Sequence, residues 1–240
     1  MKSLFIFLFV ALAQGIGSLA LGAALGTNAF DPGVPLGINE MNSIRNAASN
    51  SLTAFRTHIT PANYQLMGFD STNEVLTATN GEPLLIFAVR MSQFTNYLSG
   101  SEFNSLLAPT PRPRVIVPVM VGTNVRSATT LRPAPGAAAT PMGWVGGDWG
   151  HPKLIRNLTG TYRAITNTEV HPSTVPFAVE IPMPRIWLVG YYDRQTNLVL
   201  RSTIDLRLGP IVINRNQVVT QPAMQLLATE ARRYNPNLPN

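Results

Sequence analysis

The chain has 240 residues, of which 45% are hydrophobic and only 12% charged, with 18 glycines and 20 prolines. That balance excludes wholesale disorder and describes a globular, loop-rich, lightly charged chain long enough to bury a sizeable core. Cysteine is absent, which removes disulfides, thiolate zinc sites, iron–sulfur clusters and cysteine nucleophiles.

The net charge is +6, and among the 18 Lys and Arg residues only Lys2 and Lys153 are lysines. A basic balance raises nucleic acid as a partner. The arginines are scattered, however, and the closest groupings are Arg112 with Arg114 and Arg232 with Arg233. Neither is a run that would track a phosphate backbone, so the expectation is no nucleic-acid partner.

At the N-terminus, Lys2 precedes an apolar run over residues 4–10, followed by Ala11-Leu12-Ala13, with a second small-x-small site at Ser18-Leu19-Ala20. This is the layout of a secretory signal peptide, expected over residues 1–20. The alternative is an uncleaved anchor to about residue 25, since 22 residues of helix would span about 33 Å. Gln14, Gly15, Gly17 and Ser18 interrupt that span, which favours cleavage. Either way the positive end stays inside, and the rest of the chain is exported to a periplasmic or extracellular space. Membrane contact is then expected only through this segment, if it is retained. An exported chain of this size with no disulfide fits a bacterial envelope better than an animal or plant secretion.

Residues 21–38 are rich in Gly, Ala and Pro and read as a linker, with one domain over residues 39–240. Asn39 is the expected N-cap of a helix whose stripe is Met41, Ile44, Ala48, Leu52, Phe55 and Ile59. Pro61 ends it, because the residue before a proline is pushed out of the helical region. Thr60-Pro61 is expected to open a short second helix that carries Tyr64 and Met67 and stops at Gly68. Residues 84–89 read as a strand and residues 92–98 as a helical turn. Residues 115–121 are almost continuously apolar, as in a strand buried on both faces. Pro118 within them implies a bulge or an edge position. Gly122-Thr123-Asn124 links this strand to residues 125–131 as a hairpin.

Residues 132–141 form a Pro/Ala/Gly loop and 142–145 a short strand. His151-Pro152 opens a helix with Leu154, Ile155 and Leu158 on its buried face, closed at Gly160. Residues 177–181, 185–192 and 198–204 read as three strands, the last two joined by a five-residue hairpin loop at 193–197. A final helix over residues 220–234 places Met224, Leu227, Ala228 and Ala231 at i, i+3, i+4 and i+7. The order of elements implies an α+β fold: a mainly antiparallel sheet with helices packed on one face.

Few residues point to chemistry. His58, His151 and His171 share no ligand spacing, so neither a metal site nor a cofactor is expected. Gly-x-Ser-x-Gly, Ser-x-x-Lys and the glycine-rich phosphate loops are missing. The densest functional signal is Trp144-Val-Gly-Gly-Asp-Trp-Gly-His151. There Trp149 could stack on a ligand while Asp148 and His151 hydrogen-bond it. The structural alternative makes Asp148 a helix cap and the tryptophans core plugs. Residues 185–192 offer a second aromatic strand, for binding or for the core. The function expected is an exported non-catalytic binding or structural module of the bacterial cell envelope, with a protein or envelope component as partner. The alternative is a secreted or periplasmic hydrolase whose acid–base residues come from distant loops.

Overall fold

The computed structural model describes residues 30–97, 103–107, 109–110, 113–136, 143–165, 168–182 and 185–234. The segment expected to be a signal peptide and the first part of the expected linker lie outside the described residues. No helix among those described is long and apolar enough to cross a membrane.

The first helix, α1 (Ile38–His58), buries Ile44, Ala48, Leu52 and Phe55 along one stripe. Gly37 takes the N-cap position without a side-chain bond, so Asn39 stands inside the first turn rather than capping it. Beyond Pro61 the chain makes successive turns instead of a second helix. Asn63 is occupied there in fixing the corner: its Oδ1 accepts from the Thr60 amide at 2.7 Å and its Nδ2 donates to the His58 carbonyl at 2.9 Å. The next helix is α2 (Thr72–Thr77), where Ser71 Oγ accepts from the Glu74 amide and the Glu74 carboxylate accepts from the Asp70 amide. This is a reciprocal cap, enough to start a six-residue helix.

Eight strands make the main sheet: β1 (Thr79–Asn80), β2 (Leu84–Ala88), β3 (Arg114–Val121), β4 (Asn124–Pro133), β5 (Trp144–Gly150), β6 (Phe177–Ile181), β7 (Ile186–Tyr192) and β8 (Leu198–Ser202). Their order is β5-β4-β3-β2-β6-β7-β8, with β1 beside β3. Every pairing is antiparallel except β2 with β6. The fold is therefore α+β on a mainly antiparallel sheet. A separate hairpin pairs β9 (Leu206–Leu208) with β10 (Ile211–Ile213).

Alternation along the strands sorts the core into layers. Leu85, Phe87, Val115, Val117, Phe177, Val179, Leu188 and Leu200 face one side. They meet α1, α3 (Met91–Thr95) and α5 (Gln221–Tyr234) there, and α2 completes that layer through Val75 and Ala78 against Phe55 and Val119. Leu84, Ile86, Ile116, Ala128, Ala178 and Val189 face the other side, where α4 (Pro152–Ala164) covers them with Ile155 and Leu158. Four helices thus share one face as expected, and α4 lies on the opposite face. Gly160 does not close α4, which continues to Ala164. A Cβ there would meet the Arg215 guanidinium at 2.2 Å, so the glycine lets that side chain cross the helix and reach the Arg156 carbonyl.

Pro118 lies on a strand paired on both sides, not at an edge. Its carbonyl accepts from the Gly81 amide at 2.7 Å, and the N and C=O of one strand residue point the same way. Its missing donor therefore faces the gap between β1 and β2, where the ladder is already broken. A register shift comes next at Val119/Met120.

The 193–197 loop is held by one carboxylate. Asp193 Oδ1 accepts from the amides of Gln195 and Asn197 at 2.9 and 2.8 Å. Burial acts to raise the Asp193 pKa, but the Asn197 and Gln195 bonds outweigh it and hold the carboxyl below its usual value. Stability from this turn is present above the unfolded carboxyl's pKa and is lost as pH falls through the lowered folded value. Asp193→Asn should remove that acid-side loss, seen when urea midpoints at about pH 3 and about pH 7 are compared with wild type.

Candidate functional site

The segment with the strongest sequence signal is a strand, not a loop. β5 ends the sheet, and among the described residues no strand pairs along its outer side. Its two adjacent glycines sit against close neighbours: a Cβ at Gly146 would meet Ser51 Oγ at 2.7 Å, and one at Gly147 would meet Thr130 Oγ1 at 2.9 Å. Between the Thr129 and Leu131 registers the ladder shifts, and the Thr130 hydroxyl fills the irregularity. It accepts from the Asp148 amide at 2.8 Å and donates to the Asp148 carbonyl at 3.1 Å.

Asp148 is exposed on this edge, and its carboxylate makes no cap: the residue before α4 is His151, in the left-handed conformation at φ 58°, with no side-chain cap bond. Trp144 is buried, its indole donating to Glu40 at 2.6 Å. Trp149 is half-buried, donates to Ser51 Oγ at 3.0 Å, and lies 4.7 Å from the His58 ring and 6.0 Å from Phe55. The structure therefore gathers Trp149, His58 and Ser51 on the α1 side, while exposed His151 belongs to a pocket on the α4 side. Sequence reading missed His58 and Ser51 because they come from α1, roughly a hundred residues upstream.

A cleft of about 580 Å³ opens between α1 and the β1–β2 segment, lined by Arg45, Ser49, Thr53, Arg56, Asn80 and Glu82 among others. Arg45 and Glu82 pair at 3.3 Å at its exposed mouth. Arg56 is spent on the carbonyls of Val75 and Ala78, and the Ser49 and Thr53 hydroxyls donate to carbonyls one turn back. Buried Asn80 Oδ1 accepts no hydrogen bond. The cleft carries polar groups for binding but no base set against a nucleophile.

The contact nearest to a nucleophile–base pair is Ser173 Oγ with His171 Nδ1 at 2.9 Å. It sits in an exposed turn, where the same ring nitrogen also accepts from the Ser173 amide; that is turn-forming geometry, two residues apart. Among the described residues no group of three His, Asp or Glu side chains is placed to hold a metal ion. No family model, no curated protein and no solved structure matches this chain.

Proposed function

We propose that this protein is an exported, non-catalytic binding module of the bacterial cell envelope, and that it captures an extended segment of a partner protein along β5. The observation that carries the reading is that no described strand pairs along the outer side of β5, a glycine-rich terminal strand with exposed Gly146 and Asp148. An open edge offers a row of backbone donors and acceptors to an added strand, while neighbouring side chains select what is added. The opposite end of the sheet is not equivalent: residues 217–219 run beside β8, with Val219 N–H donating to the Leu200 carbonyl at 2.8 Å and Ser202 N–H to the Gln217 carbonyl at 2.9 Å. The signal-type N-terminus supports the export part of the reading.

A photo-crosslinking amino acid at Asp148, with Arg194 in the exposed 193–197 loop as the control position, tests it in producing cells. The expected result is a discrete adduct from position 148 only, recovered outside the cytoplasm, whose peptide map returns one contiguous partner segment. Adducts from both positions alike, an adduct to glycan or lipid, or recovery in the cytosol would each overturn the corresponding part of the proposal.

A further inference from the structure

We propose a second, separate binding site for a ring-bearing organic oxyanion, on the face of the sheet that α4 covers. A pocket of about 430 Å³ there is lined by His151, Lys153, Asn157, Arg185, Trp187 and Thr203, with Pro152, Leu154 and Ile204 supplying apolar wall. Two cations and an imidazole thus line one concavity, and no carboxylate is among its described lining residues. Neither Lys153 nor Arg185 forms an ion pair with any described acid. Some cations elsewhere are paired, as Arg126 is with Asp70 and Glu74 and Arg201 with Glu169, and others are not; what sets this pair apart is that both line one pocket. The uncompensated charge at this pocket is open to an incoming anion.

The second component is aromatic. Trp187 is half-buried and packs with the α4-side core. Its backbone is pinned by the buried Thr203 hydroxyl, which donates to the Trp187 carbonyl at 2.6 Å. A partly open indole lining the pocket offers an apolar surface on which a ring could stack, and Asn157 adds an amide able to donate to or accept from a polar substituent. Charge and platform in one pocket call for a ligand carrying both features: a carboxylate, sulfate or phosphate monoester on an aromatic or sugar ring. His151 and Arg185 both hold positive φ, at 58° and 66°, so their side chains leave the backbone from positions few substitutions would preserve.

Titration of the purified protein with phenyl phosphate, against inorganic phosphate and phenol as separate probes, tests this. The readout is the Trp187 indole N–H resonance, assigned by its loss in Trp187→Phe. Phenyl phosphate should shift that resonance saturably and bind about tenfold or more tightly than either half alone. Lys153→Gln and Arg185→Asn should each weaken it by about tenfold. Both side chains are exposed, and asparagine tolerates the left-handed backbone at 185. Unchanged spectra elsewhere in the protein would show that the variants remain folded. Equal affinity for phosphate with the indole unmoved reduces the pocket to a diffuse cationic surface and overturns the site, and equal affinity for phenol removes the anion. Absence of saturation with all three probes rejects the site. None of these outcomes bears on strand addition at β5, which has its own crosslinking test.

Discussion

Leu227→Ala should lower the free energy of unfolding by about 2–5 kcal/mol, through lost burial and an incompletely collapsed cavity. Leu227 is fully buried in α5, flanked by Ala223, Met224, Ala228 and Ala231, all of which face the main core. A helix of this length is marginal alone in water, so it exists because this stripe is docked. Arg232 adds a tie by donating to the Thr95 carbonyl at the end of α3. A urea melt at neutral pH measures the loss directly. If α5 were instead a detachable helix held for a partner, the variant's melt would superimpose on wild type, and a structural role for the docked stripe would be refuted.

Gly68→Ala should be about as damaging for a different reason, at about 2–6 kcal/mol from backbone strain and overpacking together. Gly68 has φ +95°, and a Cβ there would stand 2.0 Å from the Arg126 carbonyl oxygen and 2.6 Å from Pro152 Cβ. The turn after α1 thus rests directly on β4 and on the first residue of α4. Gly122→Ala separates the two contributions, because Gly122 has φ +58° with nothing within 4 Å of the added carbon. It should show the strain alone, about 1–3 kcal/mol. Equal losses at the two positions would mean that the close approach at Gly68 is not what the glycine is for.

The parts of the fold legible in the sequence are those whose pattern is long or whose turn chemistry is explicit. The stripe of α5, the Gly122 hairpin and the Asp193 hairpin all declare themselves, and β6, β7 and β8 lie within a few residues of their expected limits. Short elements did not. β1, β9 and β10 have two or three residues each, too few for any period to register. For α2 a signal did exist, the Ser71-x-x-Glu74 capping pair, but it stands before a run only six residues long. The Thr60-Pro61 start carries the residue types and bonds that open helices, with the Thr60 amide donating to Asn63 Oδ1, yet residues 61–68 form successive turns.

Glycines misled in two opposite ways. Gly146 and Gly147 resembled a flexible loop, whereas they are strand residues cut small to fit under Ser51 and around Thr130. Gly160 resembled a helix stop, whereas it is a notch in the middle of α4 for Arg215. In each case the reason is a neighbour distant in sequence. The same holds for the candidate sites. Asp148, Trp149 and His151 are close in the chain, yet the irregular end of β5 and the left-handed turn at His151 send them to different surfaces. The pocket around Trp187 draws on α4, on Arg185 before β7 and on Thr203 after β8, and no local pattern announces such an assembly.

The parallel pairing of β2 with β6 has a consequence for how the chain is made. On the β3 side, β2 finds partners that come soon after it in sequence, but its other edge waits for Phe177–Ile181, after β3, β4, β5 and α4 have all been synthesised. Four successive residues of that strand, Leu84 to Phe87, are apolar and buried in the finished molecule. During synthesis they form an open, sticky edge, the kind on which nascent chains associate with one another. The hazard lasts until β6 arrives, so keeping the chain extended until it is complete suits this topology better than folding as it emerges.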